Sequence, residues 1–339
     1  MIITRTPFRI SFAGGGSDFP AYYSQEPGAV LSAAISKYMY LTVKRSFGGI
    51  YRVSYSKTEI CNRTEDLQHP IVKECLRSLS VRTGLEIVSI ADLPAQSGMG
   101  SSSSFTVGLL HALHALQGHF ISQEQLAREA CEIEIGRLRE PIGKQDQYIA
   151  AYGGIQFFRF QPDGKVFADP VICTPETKHE LQRRLILFYI GGARAARTVL
   201  KKQNARTSAN MDALRRLCAL AGDMREVLTV GRDLNRFGHL LNDVWQVKKS
   251  LTKTISNPQI DEIYNRAIKV GALGGKLLGA GSGGFIVFYC EPHYQNRLRQ
   301  ALAPLEEIPF SFDPQGTKVI YVGEDHWQCD SASFSTVTA

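Results

Sequence analysis

A glycine- and serine-rich stretch in front of an apolar helical segment constrains this chain most. Residues 94–104 read PAQSGMGSSSS and lead directly into the apolar-periodic residues 105–116. Glycines allow several backbone N–H groups to face one point, and the start of the following helix adds partial positive charge. The stretch therefore predicts a phosphate-binding loop that opens a helix, called the serine loop below. It lacks the lysine of the G-x-x-x-x-G-K-[ST] motif, and taken alone it is explained equally well as a flexible turn that caps a helix.

The length of the chain favours an enzyme with two lobes. A chain of 339 residues exceeds what one hydrophobic core usually organises, so we expect two lobes with a cleft between them. No apolar run has the length of a membrane span, and the first residues lack a signal-peptide pattern. We therefore expect a cytoplasmic protein without a membrane partner. The 7 cysteines include no C-x-x-C pair, which favours reduced thiols.

The positive charge does not by itself identify a partner. A formal charge of +7 suits nucleic acid, membrane phosphate or an anionic metabolite equally well. Much of the excess positive charge lies in segments with a helical pattern, such as 194–206 and 248–253. These segments lack the interleaved aromatic residues of a groove that binds single-stranded nucleic acid. We interpret most of these cations as solvated helix faces and expect no nucleic-acid partner.

Hydrophobic periodicity predicts a mixture of strands and helices. A capping box at Ser122 and Gln125 begins one of the helices. The predicted strands cover residues 2–12, 29–35, 38–45, 51–55, 85–91, 155–160, 185–190 and 285–289. The predicted helices cover 69–81, 122–139 and 260–268, together with most of 193–253.

Two further glycine clusters and one aspartate are candidates for a site. Residues 279–284 match G-x-G-x-x-G, but an aromatic and β-branched run follows, so the cluster joins two strands instead of opening a dinucleotide-binding helix. The cluster either lets the backbone approach a ligand closely or forms a hairpin turn. The run GGGSD at 14–18 follows the first strand and predicts the floor of a cleft. Asp146, which follows a Pro/Gly interruption, is either a reactive carboxylate or a solvent-facing charge at a helix start.

These segments together resemble the motifs of the GHMP small-molecule kinases. The resemblance rests on TPFRIS from Thr6, the serine loop, Asp146 before a Gly-Gly pair, and LLGAGSGG from Leu277. It extends to the family's D-glycero-D-manno-heptose 7-phosphate kinases through AGGGSDF, EPIGKQDQY and GGKLLGAG. It implies an α+β fold with an N-terminal lobe like ribosomal protein S5 domain 2 at 1–175 and a C-terminal α+β lobe at 176–327. ATP would bind between the lobes, and residues 328–339 would form a flexible tail.

The resemblance also implies roles for individual residues. Asp146 matches the catalytic aspartate and Arg9 the basic residue that accompanies it. Glu134 would supply a carboxylate to Mg²⁺, with Glu132 as the alternative, because the interval from Glu134 to Asp146 is about one residue longer than in mevalonate-type relatives. The magnesium-binding serine would be Ser102, with Ser101 as runner-up. The ATP phosphates would be bound by Ser97, Gly98, Gly100, Ser101, Ser102 and Ser103.

The predicted substrate site departs from the galactokinase-like pattern, in which Gly-Glu-His precedes a small residue and Asp. Glycine stands at the Glu and His positions, as Gly15 and Gly16, and Asp18 remains to hold sugar hydroxyls. The change removes a negative charge and leaves room for a phosphate. Gly281 is a further expected substrate contact, and the candidate cations for the phosphate are Arg194, Arg197, Lys144 and Lys276.

We therefore hypothesise a sugar kinase that uses ATP and Mg²⁺. It would phosphorylate the anomeric hydroxyl of D-glycero-D-manno-heptose 7-phosphate to the 1,7-bisphosphate, for nucleotide-activated heptose biosynthesis. Three alternatives stay open: a kinase for fucose or another hexose, a sensor that binds sugar phosphate and nucleotide without catalysis, and a decarboxylase of the diphosphomevalonate type. The sequence leaves the oligomeric state open, and a homodimer is compatible with it.

Overall fold

The computed structural model of the protein describes residues 1–95, 97–192 and 196–323, without the side chains of 196 and 197. The predicted tail at 328–339 lies outside these residues. The strands are β1 (Ile2–Ala13), β2 (Gly28–Arg45), β3 (Tyr51–Ser54), β4 (Thr58–Cys61), β5 (Leu85–Ala91), β6 (Ile155–Phe160), β7 (Val166–Pro170), β8 (Leu185–Gly191), β9 (Ala272–Leu277), β10 (Gly284–Cys290), β11 (Glu306–Glu307) and β12 (Lys318–Val322).

The described helices carry most of the remaining chain. A π-helical segment, Glu132–Arg137, directly follows α4. The α-helices are α1 (Pro20–Tyr23), α2 (Pro70–Ser78), α3 (Ser101–Leu116), α4 (Gln123–Cys131), α5 (Gln145–Tyr152), α6 (Pro175–Arg184), α7 (Ala196–Ala205), α8 (Met211–Val230), α9 (Asn235–Leu251), α10 (Pro258–Lys269) and α11 (Gln295–Leu302).

The strands form two sheets. The larger has the order β12-β1-β2-β5-β3-β4, and β6 pairs with both β2 and β7. The smaller has the order β11-β8-β10-β9. The last strand, β12, returns to the first sheet and pairs antiparallel with the start of β1. Because the end of the chain completes the first sheet, a division into two units at residue 175 stays a prediction.

The single strand β2 replaces two predicted strands. It pairs with β1 along its length, with β6 through its first part and with β5 through its last part. The register with β1 shifts between Pro7 and Phe8, which leaves Ser36 and Lys37 as extra residues on β2. The two predicted strands, 29–35 and 38–45, are separated by the two residues at this bulge.

Helix α3 lies against β1 and β2 and brings the serine loop to the end of β1. Thr4 donates a hydrogen bond to the carbonyl of Gly108 at 3.0 Å. A Cβ at Gly108 would lie 2.6 Å from Thr6 Oγ1, so the absence of a side chain allows this close approach. Ser104, in the first turn of α3, donates to the Pro7 carbonyl at 2.8 Å. The start of the helix is thereby held beside the part of β1 that carries Arg9.

Helices α8 and α9 connect the two sheets. Helix α9 packs against β9, β10 and β1, and α8 packs against α9, β1 and β2. Aromatic side chains fill the junction: the Phe12 and Phe237 rings meet edge to face with centroids 5.2 Å apart, and Phe237 also contacts Tyr289. None of the helices in the described part of the chain has the length and apolar character that a membrane crossing requires.

Replacing the buried aromatic ring at this junction tests its contribution to stability. Phe237 is 0% exposed, so Phe237→Ala leaves a cavity and is expected to lower the free energy of unfolding by about 3–5 kcal/mol. Phe47 is 100% exposed, and Phe47→Ala is expected to change it by less than about 0.5 kcal/mol. Urea unfolding followed by circular dichroism measures both variants. Equal losses would contradict the assignment of the junction as a shared core.

Candidate active site

A cavity between the two sheets brings together the predicted site residues Arg9, Gly15, Gly16, Asp18 and Asp146. The end of β1, residues 14–19, the segment before α5, and helices α7, α8 and α9 form its walls, and the start of the 279–284 glycine cluster completes them. The described polar side chains that line it belong to Arg9, Ser11, Asp18, Gln145, Asp146, Gln203, Lys248 and Lys276.

Arg9 and Asp146 form a bidentate ion pair at the edge of this cavity. Arg9 Nε donates to Asp146 Oδ1 and Nη2 donates to Oδ2, both at 2.7 Å. The arginine side chain is 6% exposed and the aspartate side chain 23%, so the carboxylate is the accessible partner. Two parallel charge-assisted bonds fix the plane of the carboxylate. Asp146 is therefore oriented toward a ligand while it stays reachable from the cavity.

The serine loop packs against the second glycine cluster, backbone to backbone. A Cβ at Gly279 would lie 2.3 Å from Gly98 Cα, and a Cβ at Gly98 would lie 2.7 Å from the Leu278 carbonyl oxygen. Both glycines have positive φ, +82° at Gly98 and +68° at Gly279. The cluster joins β9 to β10, as predicted, and here its glycines allow the close approach of two loops.

The predicted phosphate-binding residues lie in the serine loop and the first turn of α3. Ser101, Ser102 and Ser103 open the helix, where backbone N–H groups have no acceptor within the helix. Gly100 precedes them with φ +79°, and a Cβ there would meet Arg9 Cγ and Asp146 Oδ2 at 3.4 Å. The helix start therefore lies next to the ion pair. Ser97 is buried, and its hydroxyl has no hydrogen-bond partner within the described residues.

Glu134 reaches the start of α3 from the π-helical segment. Ser102 Oγ donates to Glu134 Oε1 at 2.5 Å, and Gln147 Nε2 donates to Oε2 at 2.6 Å. Burial raises the pKa of the Glu134 carboxyl above its usual value, and hydrogen bonds from Ser102, Gln147 and Ser103 offset part of the rise. Glu134 lies within the π-helical segment Glu132–Arg137, which has more residues per turn than an α-helix. The alternative ligand Glu132 is 64% exposed and lies near Arg137.

The serine hydroxyl and the carboxylate together fit a magnesium ion. Both are hard oxygen donors, and Mg²⁺ in proteins commonly takes one or two such ligands and completes its shell with water and phosphate oxygens. Within the described residues no cluster of three His, Cys, Asp or Glu side chains is suited to hold a metal. An ion at Ser102 and Glu134 would therefore depend on a phosphate ligand for further contacts.

Asp18 is buried in the floor of the cavity and satisfied by amide groups. Its Oδ1 accepts from the Gly16 N–H at 2.8 Å, and Oδ2 accepts from the Gln145 backbone and side-chain amides at 3.2 and 3.1 Å. Burial raises the pKa of the Asp18 carboxyl, and the hydrogen bonds from the Gly16 and Gln145 backbones counteract part of that effect. A Cβ at Gly143 would lie 2.0 Å from Oδ2, so glycine there lets the chain close over the carboxylate.

The space expected beside Asp18 exists at only one of the two glycines. A Cβ at Gly16 would lie 2.5 Å from Gln203 Nε2 and 2.9 Å from Leu214 Cδ2, because α7 and α8 cover this position. At Gly15 the nearest atom to such a Cβ is Gln145 Nε2 at 3.4 Å. The prediction of room for a phosphate is therefore wrong at Gly16 and stays a prediction at Gly15.

Two predicted substrate contacts lie outside the cavity. Lys144 Nζ donates to the Gly164 carbonyl at 2.8 Å and lies 4.6 Å from the centre of the Tyr23 ring, so it faces the turn between β6 and β7. A Cβ at Gly281 would lie 2.8 Å from Ile255 Cα, which shows that this glycine packs against the loop after α9. Arg194 lies outside the described residues, as does the side chain of Arg197.

The sequence analysis missed Lys248, which it assigned to a solvated helix face. The side chain is 8% exposed, and Nζ donates to the carbonyls of Leu277 and Gly279 at 3.1 and 2.6 Å. Burial, together with the positive charge of Arg9, lowers the pKa of Lys248 to about 7. The spacing of buried Leu241, Val244 and Leu251 on α9 would have placed position 248 on the apolar face.

Comparisons with known proteins show which family this chain is similar to. The model of the GHMP kinases N terminal domain matches residues 69–154, and that of the GHMP kinases C terminal matches 211–305. The D-glycero-alpha-D-manno-heptose 7-phosphate kinase of Campylobacter jejuni is 30% identical over 94% of this chain and 98% of its own length. The bifunctional fucokinase/GDP-fucose pyrophosphorylase of Arabidopsis thaliana is 26% identical over 87% of this chain and 30% of that longer protein.

A solved structure shows the same fold. The crystal structure of a D-glycero-D-manno-heptose 1-phosphate kinase from Bacteroides thetaiotaomicron superposes with a TM-score of 0.79. The superposition covers 96% of this chain and 100% of that one at 24% identity, so the likeness concerns the fold.

The contact between the two loops can be tested by adding one methyl group. Gly279→Ala forces a side chain against Gly98, whereas Gly191 has a similar φ of +71° with no atom within 4 Å of an added Cβ. In both variants an alanine must adopt a positive φ, which costs free energy in each. The difference between their stabilities therefore reports the contact of residue 279 with Gly98. We expect Gly279→Ala to be about 1–3 kcal/mol less stable than Gly191→Ala in thermal unfolding. Indistinguishable melting temperatures would contradict the contact.

Proposed function

This chain belongs to the GHMP kinase family, and on that premise we propose that it transfers the γ-phosphoryl group of ATP to the anomeric hydroxyl of D-glycero-D-manno-heptose 7-phosphate. Membership makes the protein a phosphotransferase with an alcohol group as acceptor, and it confirms the predicted two-lobed α+β fold. The identity of the sugar, the use of Mg²⁺ and the roles of individual residues are the proposal.

The bidentate pair of Arg9 and Asp146 is the observation that carries the proposed chemistry. A phosphoryl transfer requires a group that orients the attacking hydroxyl and positive charge near the transferred group. Asp146 is partly accessible at the cavity, and Arg9 holds its carboxylate through two bonds of 2.7 Å. In the proposed mechanism the Asp146 carboxylate accepts a hydrogen bond from the anomeric hydroxyl and takes its proton as the new P–O bond forms. Arg9 positions the carboxylate throughout.

The start of α3 is the proposed site for the phosphates of ATP. The backbone N–H groups of the serine loop and of the first helical turn supply donors and partial positive charge to an anion. Ser102 and Glu134 would hold Mg²⁺, which neutralises phosphate charge when bound. Gln147 donates to the Oε2 of Glu134 at 2.6 Å, while Ser102 Oγ and Glu134 Oε1 are hydrogen-bonded to each other. The ion would replace that hydrogen bond and bind both oxygens.

The proposed sugar rests on the similarity of this chain to a heptose phosphate kinase and on the residues at the floor of the cavity. The Campylobacter jejuni relative, named for heptose 7-phosphate, matches nearly the whole of both chains at 30% identity. Asp18, held by the Gly16 and Gln145 amides, would bind sugar hydroxyls. The space beside Gly15 leaves room for the substrate where an ordinary side chain would narrow it. Together these features favour a sugar phosphate as the acceptor.

A free sugar is the second candidate, because the Arabidopsis thaliana fucokinase also matches 87% of this chain. Magnesium-dependent ADP release should be measured against D-glycero-D-manno-heptose 7-phosphate, mannose 6-phosphate, mannose, galactose and fucose. We expect the heptose phosphate to give the highest kcat/KM. Activity confined to a free sugar would refute the proposed substrate, and ADP release without any acceptor dependence would refute the proposed transfer.

Replacing the proposed base tests its role directly. Asp146→Asn removes the proton acceptor, so kcat is expected to fall about 100-fold or more, while ATP binding measured by titration calorimetry stays within about twofold. Asp163→Asn, in the exposed turn between β6 and β7, is the matched control and is expected to keep wild-type kcat. Near-normal turnover by Asp146→Asn would overturn the assignment.

The two candidate metal carboxylates differ in burial, and a paired substitution separates them. Glu134→Gln keeps the shape of the side chain but removes its charge, so the Mg²⁺ concentration for half-maximal activity is expected to rise about tenfold or more. Glu132→Gln, at the exposed position two residues away, should leave that concentration unchanged. If this Mg²⁺ concentration rose in Glu132→Gln and not in Glu134→Gln, Glu132 would be the metal ligand instead of Glu134.

A further inference from the structure

Two buried amines in the cavity have no part in the mechanism described above. Lys248 on α9 is 8% exposed and Lys276 on β9 is 3% exposed, and both line the cavity that holds Asp18 and Asp146. Lys276 Nζ donates to the carbonyls of Ser11 and Phe12 at 2.6 and 3.1 Å. Within the described residues, both amines donate their hydrogen bonds to backbone carbonyls, and no carboxylate lies within ion-pair distance of either amine.

A buried ammonium without an anion is unfavourable, and the charge of this cavity is unbalanced. Its lining holds the basic side chains of Arg9, Lys248 and Lys276 against two carboxylates, of which Asp146 is already paired with Arg9. Burial lowers the pKa of both lysines, and an anion bound beside them would favour their protonated forms. Removing a cation from water without an opposite charge costs free energy unless a ligand compensates it. The cavity is thus prepared for an anion that arrives with the substrates.

The contacts of Lys248 locate that anion near the ion pair. Its amine lies 2.6 Å from the Gly279 carbonyl oxygen, and Gly279 packs directly on Gly98. The carbonyl of Gly98 in turn accepts from Arg9 Nη1 at 2.6 Å. Lys248 and Arg9 therefore each donate to a backbone carbonyl of the same contact between loops. By contrast, Lys276 is held by the Ser11 and Phe12 carbonyls of the first sheet, where it ties β9 to β1.

We propose that Lys248 is a second cation for the phosphoryl group in transfer, acting with Arg9 beside the Gly98–Gly279 contact. An ammonium has three N–H donors, and the carbonyls of Leu277 and Gly279 accept two of them, which leaves one for a phosphoryl oxygen. In the transfer the acceptor oxygen bonds to the γ-phosphorus, the bond to the β-phosphate oxygen breaks, and the hydroxyl proton goes to Asp146. Lys248 keeps its protons. The inference rests on the kinase activity of the proposed function and is independent of which sugar is used.

The charge and the hydrogen bonds of Lys248 can be separated by substitution. Lys248→Gln retains donors for the two carbonyls but no charge, and Lys248→Arg retains the charge. Lys249→Gln is the matched control, since Lys249 is 30% exposed and lies 3.5 Å from Asp261. For Lys248→Gln we expect kcat to fall about 10- to 100-fold, with KM for ATP and sugar within about twofold. Lys248→Arg should recover part of the loss, and the control should match wild type.

A direct binding measurement distinguishes a role at the transferred group from a role in holding the loop. ADP with magnesium and aluminium fluoride imitates the planar phosphoryl group, whereas ADP alone lacks it. Lys248→Gln is expected to weaken the fluoride complex by the factor lost in kcat and to leave the Kd of ADP alone unchanged. Equal weakening of both ligands would overturn the proposal in favour of loop support.

The acceptor panel separates the remaining outcomes. A rise in KM confined to phosphorylated sugars, with normal turnover of a free sugar, would assign Lys248 to the phosphate already on the sugar and would overturn the proposal. Unchanged kinetics in Lys248→Gln would overturn it as well. If wild-type protein turns over no sugar, the proposed function fails, while the fluoride-binding comparison still tests Lys248 on its own.

Discussion

The side chain of Arg9 fixes parts of the chain that are distant in sequence. Its guanidinium donates twice to Asp146 and once to the carbonyl of Gly98, and its backbone N–H donates to the Met99 carbonyl at 3.2 Å. Because guanidinium donors lie in one plane, these partners are fixed in direction as well as distance. Strand β1 thereby sets the position of α5 and of the serine loop together. A lysine ammonium lacks the planar pair of donors that bonds to both oxygens of the Asp146 carboxylate, which explains why arginine suits the site.

The sequence was informative where a function depends on local pattern. The serine loop, the helix after it and the carboxylate at 146 follow from residue types and spacing, and the resemblance to a known family joined them into one site. The burial of Lys248 could have been predicted from the spacing of apolar residues along α9. Lys248 shares one helical face with Leu241 and Val244, but the prediction of a solvated side chain followed from its charge alone.

Other features depend on contacts that no local pattern encodes. The space above Gly16 is filled by Gln203 and Leu214, which lie almost two hundred positions later in the chain. Lys144 follows Gly143 and looks like a cation of the substrate site, but the turn at Gly164 offers its amine a carbonyl on the other side. The sequence predicted one helix over 122–139, and its hydrophobic pattern gave no sign that the segment Glu132–Arg137 is π-helical.

The pairing of β12 with β1 has a consequence for how the protein is made. Strand β1 is synthesised long before its partner at residues 318–322, the last strand of the described chain. At about 5–20 residues per second, the intervening chain takes on the order of 15–60 s to synthesise. During that time the outer edge of β1 at Ile2–Arg5 presents unpaired backbone groups, the kind of edge to which other strands bind. The outer edge of β1 therefore stays without this partner strand until residues 318–322 have been synthesised.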